Sequence, residues 1–350
     1  VNRGASELRK SDPFAEAFMW SLIDCAPEES FVAEASCRGK EQSKHQRQGG
    51  AIKVMRATRF AFLWLFVLSC FASSIAAATA PQALQINAPS KQVTVYGAKL
   101  RYFDVGSGPV VILLHGLGGD ANGWSATLPA LASRYRVIAL DQIGFGQSDK
   151  PFLQYRVATY VDFLDGFMRA LKIDRAALVG NSLGGWIAAA YALAYPQKVT
   201  KLVLVDAAGF AIPAEVNVRS LLSPATREGV RQLAGLIFYN RELFTSDAAV
   251  DLLFAQRIVN NDGYTIEKLI ESIGRNEDVL DGKLGAIKQP TLIVWGREDN
   301  LTPLLFAERF KREIPQAQLV IIERCGHVPQ VEKPAEFNAA LMKFLGEPTN

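Results

Sequence analysis

The chain has 350 residues, 49% hydrophobic and 21% charged, with 38 Lys and Arg against 35 Asp and Glu. That much apolar material excludes a disordered chain, and a net charge of +3 excludes an electrostatic footprint for nucleic acid. Only three histidines and four cysteines occur, too few and too scattered for a metal cluster or a disulfide framework.

Residues 1–54 are polar, without a periodic apolar core. Met55-Arg56-Ala57-Thr58-Arg59 then precedes an apolar run over 60–72 and a small-residue tract ending at Ala80. A basic start, an apolar centre and A-x-A sites read as an export leader. We therefore expect translation to begin at Met55, with 1–54 an upstream extension, and cleavage after Ala78 to give a periplasmic or secreted protein. Two alternatives stand beside it. Residues 60–80 could remain as an anchor near the membrane, although 13 strongly apolar residues fall short of the roughly 20 needed to span it. Val67-Leu68-Ser69-Cys70 weakly resembles a lipoprotein box, which would leave a lipid on Cys70.

From Pro81 onward the charge is nearly balanced, 28 Lys and Arg against 27 Asp and Glu. Alternating segments over 92–96 and 100–105, joined at Gly97-Ala98, predict a hairpin. Short continuous apolar runs follow at 110–114, 137–140, 177–179, 202–205, 292–295 and 319–322. Such runs fit strands buried on both faces, hence a parallel sheet. Helical periodicity over 160–171, 186–195, 304–314 and 335–345 separates them. Between 209 and 285 the strand rhythm stops, and the pattern predicts helices over 216–222, 227–239, 247–259 and 266–274.

Chemistry-bearing residues sit where these strands end. His115-Gly116-Leu117-Gly118-Gly119 follows the first buried strand, and Asp141-Gln142-Ile143-Gly144-Phe145-Gly146-Gln147-Ser148-Asp149 the second. Gly180-Asn181-Ser182-Leu183-Gly184 joins the third to a helix, a strained turn that lifts a serine hydroxyl into the open. A serine nucleophile needs a histidine base and an acid to orient it. His45 lies in the polar extension and His115 at the end of a buried strand, so His327 is the expected base. Asp299 is the favoured acid, with the adjacent Glu298 and the post-strand Asp206 as alternatives. Backbone N–H groups of Leu183 and Leu117 are expected to hold an oxyanion. His115, Gly116 and Asn181 flank that centre and are expected to touch substrate. Phe210, Ile212, Leu236, Phe238, Tyr239, Phe244, Phe254 and Tyr264 are candidates for an apolar acyl pocket, with Phe210 and Phe238 foremost, although packing within a small helical core explains most of them better. Cys325, alone in the mature fold, reads as buried filler.

These motifs, in this order over residues 90–347, resemble the α/β-hydrolase superfamily of the serine-nucleophile type. The resemblance implies a mostly parallel eight-stranded sheet flanked by helices. It implies a core of 81–208 and 286–350 with a helical cap over 209–285, and no cofactor. The expected activity is hydrolysis of a small-molecule or lipid carboxylic ester through an acyl-enzyme. Carbon–carbon bond hydrolases share the triad and a similar Gly-Asn-Ser-x-Gly-Gly elbow, and are the alternative; a catalytically silent binding protein is a remoter one.

Overall fold

The computed structural model describes residues 84–213 and 216–346. The extension, the leader with its alternatives, and Cys70 lie outside the described residues. Among the described residues no helix is long and apolar enough to cross a membrane.

Eight strands form one sheet: β1 (Ser90–Val95), β2 (Ala98–Val105), β3 (Val110–Leu114), β4 (Arg136–Leu140), β5 (Ala176–Asn181), β6 (Val199–Val205), β7 (Thr291–Gly296) and β8 (Gln318–Ile322). Their spatial order is β1-β2-β4-β3-β5-β6-β7-β8. β1 and β2 are antiparallel and β2 runs antiparallel to β4; every later pairing is parallel. The hairpin turn falls on Tyr96 and Gly97, both with positive φ, and Val95 pairs with Ala98. That is one residue earlier than the sequence suggested, because a two-residue loop with φ positive at both positions matches the strand twist.

Parallel β3 to β7 are buried on both faces, which is why their alternation is invisible in sequence, whereas β8, at the sheet edge and expected to be equally buried, is half-exposed. Ile112, Leu114, Leu178, Leu202, Leu204 and Ile293 join one core cluster; Val111, Leu113, Val179, Val203, Val205 and Val294 join the other. Successive side chains point to opposite faces, so neighbours in sequence serve different cores. Short α1 (Thr127–Leu131), α2 (Val157–Ala170) and α3 (Leu183–Ala194) follow β3, β4 and β5. Among the described residues five α-helices stand between β6 and β7: α4 (Val218–Leu222), α5 (Arg227–Ile237), α6 (Arg241–Phe244), α7 (Asp247–Asn260) and α8 (Gly263–Gly274). Side chains of Asn217, Thr226, Asn240 and Ser246 cap the first four. After β7 come α9 (Leu304–Glu313), then α10 (Pro329–Glu332) and α11 (Pro334–Gly346) beyond β8. All the catalytic candidates therefore lie past the carboxyl ends of parallel strands, where an open α/β sheet places its ligands.

Candidate active site

The turn from β5 into α3 is built by exclusion. A Cβ on Gly180 would overlap the Gly184 carbonyl, and one on Gly184 would overlap the Leu114 carbonyl. Ser182, at the apex, is held at φ 56° and ψ −117°, a conformation that L side chains rarely adopt. Its N–H donates to the Val205 carbonyl at 2.9 Å, and its carbonyl accepts from Trp186 and Ala208 N–H, each at 3.1 Å. Leu183 opens α3, so its N–H has no acceptor within the helix and lies at the positive end of the helix dipole, directly after Ser182.

Beside Ser182 lies the loop after β3. Gly119 N–H closes on the Gly116 carbonyl at 3.2 Å, with Gly118 at φ 69°. Leu117, Leu183, Ser182 and His327 line one cavity. A Cβ on Gly116 would come 3.2 Å from the Ser182 Cβ. His115 also borders the cavity, but its polar atoms are committed elsewhere. Nδ1 meets the Gly116 carbonyl at 2.8 Å, and Nε2 accepts from Gln142 N–H at 3.1 Å, which assigns the proton to Nδ1. Burial holds the pKa of this imidazole below the usual range. It is a brace between two loops, with both ring nitrogens engaged inside the protein. Asn181 is likewise occupied: Nδ2 donates to the carbonyls of Val205 at 3.2 Å and His327 at 3.0 Å.

Geometry separates the three candidate acids. Asp299 Oδ2 lies 2.7 Å from His327 Nδ1 and accepts from Thr302 Oγ1 at 2.6 Å. Asp299 Oδ1 accepts from the N–H groups of Leu301 and Thr302 at 2.8 and 2.9 Å. Glu298 turns away, its Oε2 accepting from Cys325 N–H at 2.9 Å. Asp206 accepts from Gly296 N–H at 2.9 Å, and burial beside Asp299 raises its pKa far above the carboxylate range. Asp299 is thus the partner of the imidazole; its Nδ1 contact leaves Nε2 as the basic nitrogen.

The His327 loop is locked from the helical segment. His327 N–H donates to the Ile237 carbonyl at 2.7 Å. Glu332 accepts from Gly326 N–H at 2.7 Å through one carboxyl oxygen and from Tyr239 N–H at 2.9 Å through the other. Cys325 is fully buried, as expected of filler, and burial raises its thiol pKa.

The cavity measures about 550 Å³. Of the eight apolar candidates, Phe210, Ile212, Phe238 and Phe244 border it, whereas Leu236, Tyr239, Phe254 and Tyr264 do not. Phe238 stacks on Phe244 with ring centroids 3.7 Å apart, while Phe210 packs chiefly into the core against Phe310, with Arg309 over its ring at 4.0 Å. Tyr264 faces outward against Phe152. Most of the wall is aliphatic, including Val218, Leu222, Val230, Leu233, Leu252 and Leu253. Sequence reading overlooked these because aromatic side chains attract attention that Leu and Val on an amphipathic helix do not. It also overlooked Thr302, which supports Asp299, and Arg257, one guanidinium nitrogen of which would sit 3.1 Å from a Cβ on Gly118.

A strand-turn-helix serine, an Asp–His pair from two later strand ends and a Gly-rich loop facing the serine form one constellation. A family model described as alpha/beta hydrolase fold matches residues 109–334. The chain belongs to the α/β-hydrolase family. Among curated relatives, this α/β-hydrolase is 34% identical over 268 residues to a 2-hydroxy-6-oxononadienedioate/2-hydroxy-6-oxononatrienedioate hydrolase of Paraburkholderia xenovorans, covering 71% of this chain and 90% of that one. Among solved structures, it resembles a meta-cleavage product hydrolase from Pseudomonas fluorescens, with 34% identity and a TM-score of 0.66 over 73% of this chain and 97% of that one. It also resembles a membrane phospholipase A described as a bacterial virulence factor, with 31% identity and a TM-score of 0.65 over 73% and 85%.

Proposed function

We propose that this α/β-hydrolase cleaves a carbon–carbon bond beside a ketone in an unsaturated keto acid, using Ser182, His327 and Asp299 as its triad. His327 Nε2 takes the Ser182 proton as Oγ attacks the ketone carbon. Leu117 and Leu183 N–H groups receive the oxyanion. The carbon–carbon bond then breaks, its electron pair passing into a conjugated enolate, and His327 H⁺ delivers the proton to the departing carbon. Water, activated by the same imidazole, releases the acid from Ser182. Asp299 fixes the tautomer throughout.

The observation that carries this reading over simple ester cleavage is Arg257. Its guanidinium stands beside Gly118 in a largely apolar cavity. Among the described residues no carboxylate forms an ion pair with it. Asp262, close enough to feel its charge, is buried, which raises its carboxyl pKa. A cation at one end and hydrocarbon at the other suit a dienoate with an apolar tail. Relatives named for 2-hydroxy-6-oxo dienoates and for 2-hydroxymuconate semialdehyde support the same choice.

Ester hydrolysis is the second reading, favoured by the aliphatic wall and the likeness to a phospholipase A. One comparison separates the two: turnover of 2-hydroxy-6-oxo-6-phenylhexa-2,4-dienoate against p-nitrophenyl esters, in wild type, Ser182→Ala and Arg257→Gln. The keto-acid reading expects dienoate turnover that Arg257→Gln lowers about tenfold or more in kcat/KM, with ester turnover little changed. Ester turnover without dienoate turnover would transfer the assignment to an esterase.

A further inference from the structure

Asp206 stands where a second acid has no evident business. It follows β6, has positive φ (43°) and is fully buried. One of its oxygens, one of Asp299 and a ring nitrogen of His327 lie within 4.8 Å of one another. Two carboxylates so close in a dry site do not both ionise; one keeps a proton. The donors decide which. Asp299 receives Leu301 N–H, Thr302 N–H, Thr302 O–H and the His327 ring, which together stabilise an anion. Asp206 Oδ1 receives a single N–H from Gly296, and Oδ2 is buried without a donor. A carboxyl with one donor and an unsatisfied oxygen beside a four-donor carboxylate is the one that stays neutral.

We propose that Asp206 is a positioning residue for the triad: a protonated carboxyl whose O–H donates to the Asp299 carboxylate and holds it against His327. The titratable groups around it reinforce this. Asp299 comes from the turn after β7; Glu332, Cys325 and His327 come from the segment after β8. Among the described residues no Lys or Arg forms an ion pair with Asp206. Its proton prevents a second buried charge from displacing Asp299, and its hydrogen bond closes the last open side of that carboxylate. The inference rests on the serine-hydrolase reading, though not on which bond is cut.

The test uses the full chain with Asp206→Asn and Asp206→Ala, and two readouts. The first is the rate at which a fluorophosphonate labels Ser182, which needs no knowledge of the substrate. Asparagine supplies an N–H to Asp299 and an acceptor to Gly296 without a titrating proton. Asp206→Asn is expected to label within about threefold of wild type, and Asp206→Ala at least about tenfold more slowly. The second is thermal unfolding against pH. A carboxyl neutral in the fold and ionised in the unfolded chain makes the fold bind more protons, so stability falls as pH rises above about 4. Wild type should lose stability relative to Asp206→Asn over that rise. Asparagine labelling as slowly as alanine, or parallel stability curves, would overturn the proposal. Failure of wild type itself to label would sink the serine-hydrolase reading, while the stability curves still decide where the proton sits.

Discussion

Asn181 Nδ2 donates to the backbone carbonyl of His327 at 3.0 Å, across 146 residues of sequence. The neighbour of Ser182 thereby holds the backbone of His327, and the same amide also reaches Val205. Replacement of Asn181 by Ala leaves two buried carbonyls without this donor. A loss of about 1–3 kcal/mol in stability is expected, together with a fall in kcat larger than any rise in KM. Denaturant melts and steady-state kinetics on the same preparation measure both. A variant with native stability and native kcat would show that the bridge is incidental.

Two glycines around the site should fail differently. Gly184→Ala drives a Cβ into the Leu114 carbonyl, which belongs to a central strand and cannot retreat. Loss of soluble, folded protein is expected. Gly116→Ala brings its Cβ to 3.2 Å from the Ser182 Cβ, tight but not impossible. That variant should fold, with kcat/KM lowered about tenfold or more by crowding of the attack trajectory. Circular dichroism beside fluorophosphonate labelling distinguishes the two fates.

The buried His115 predicts an acid sensitivity separate from catalysis. Its pKa is lowered chiefly by burial, so the fold keeps it neutral while the unfolded chain takes up a proton below about 6.5. The unfolded state then binds more protons, and stability falls as pH drops through that value towards the lowered one. The contribution approaches about 1.4 kcal/mol per pH unit at most. His115→Asn, though less stable at neutral pH, should show a shallower loss between about pH 7.5 and 5.5. Equal slopes would mean that this imidazole titrates alike in the folded and unfolded chain, so that burial does not hold it neutral.

Much of this arrangement was legible without coordinates. The parallel strands announced themselves as continuous apolar runs, and the rarity of histidine singled out His327. Chain order favoured Asp299, but only the 2.7 Å contact separates it from Glu298, which faces Cys325, and from Asp206, which lies beside it. Sequence carries no record of which of two adjacent acids turns inward. The helical insertion was legible as helices, yet not as a wall: whether Phe238 or Tyr239 faces the cavity depends on the exit of α5, where Glu332 holds Tyr239 N–H from a distant turn. His115 and Asn181 were legible as residues bordering the cavity, but not their hydrogen bonds to Gln142 and to the His327 carbonyl, which join loops far apart in sequence.

The order in which Ser182 and His327 emerge has a consequence for the chain's own synthesis. Ser182 and its turn are complete once β6 has been made, whereas His327 follows the last strand of the sheet. A nascent chain that has not yet passed β8 therefore presents Ser182 without His327. Most of the aliphatic wall, from α4 to α7, is thus translated before His327, Val328, Gln330 and Val331 complete the cavity beside Ser182.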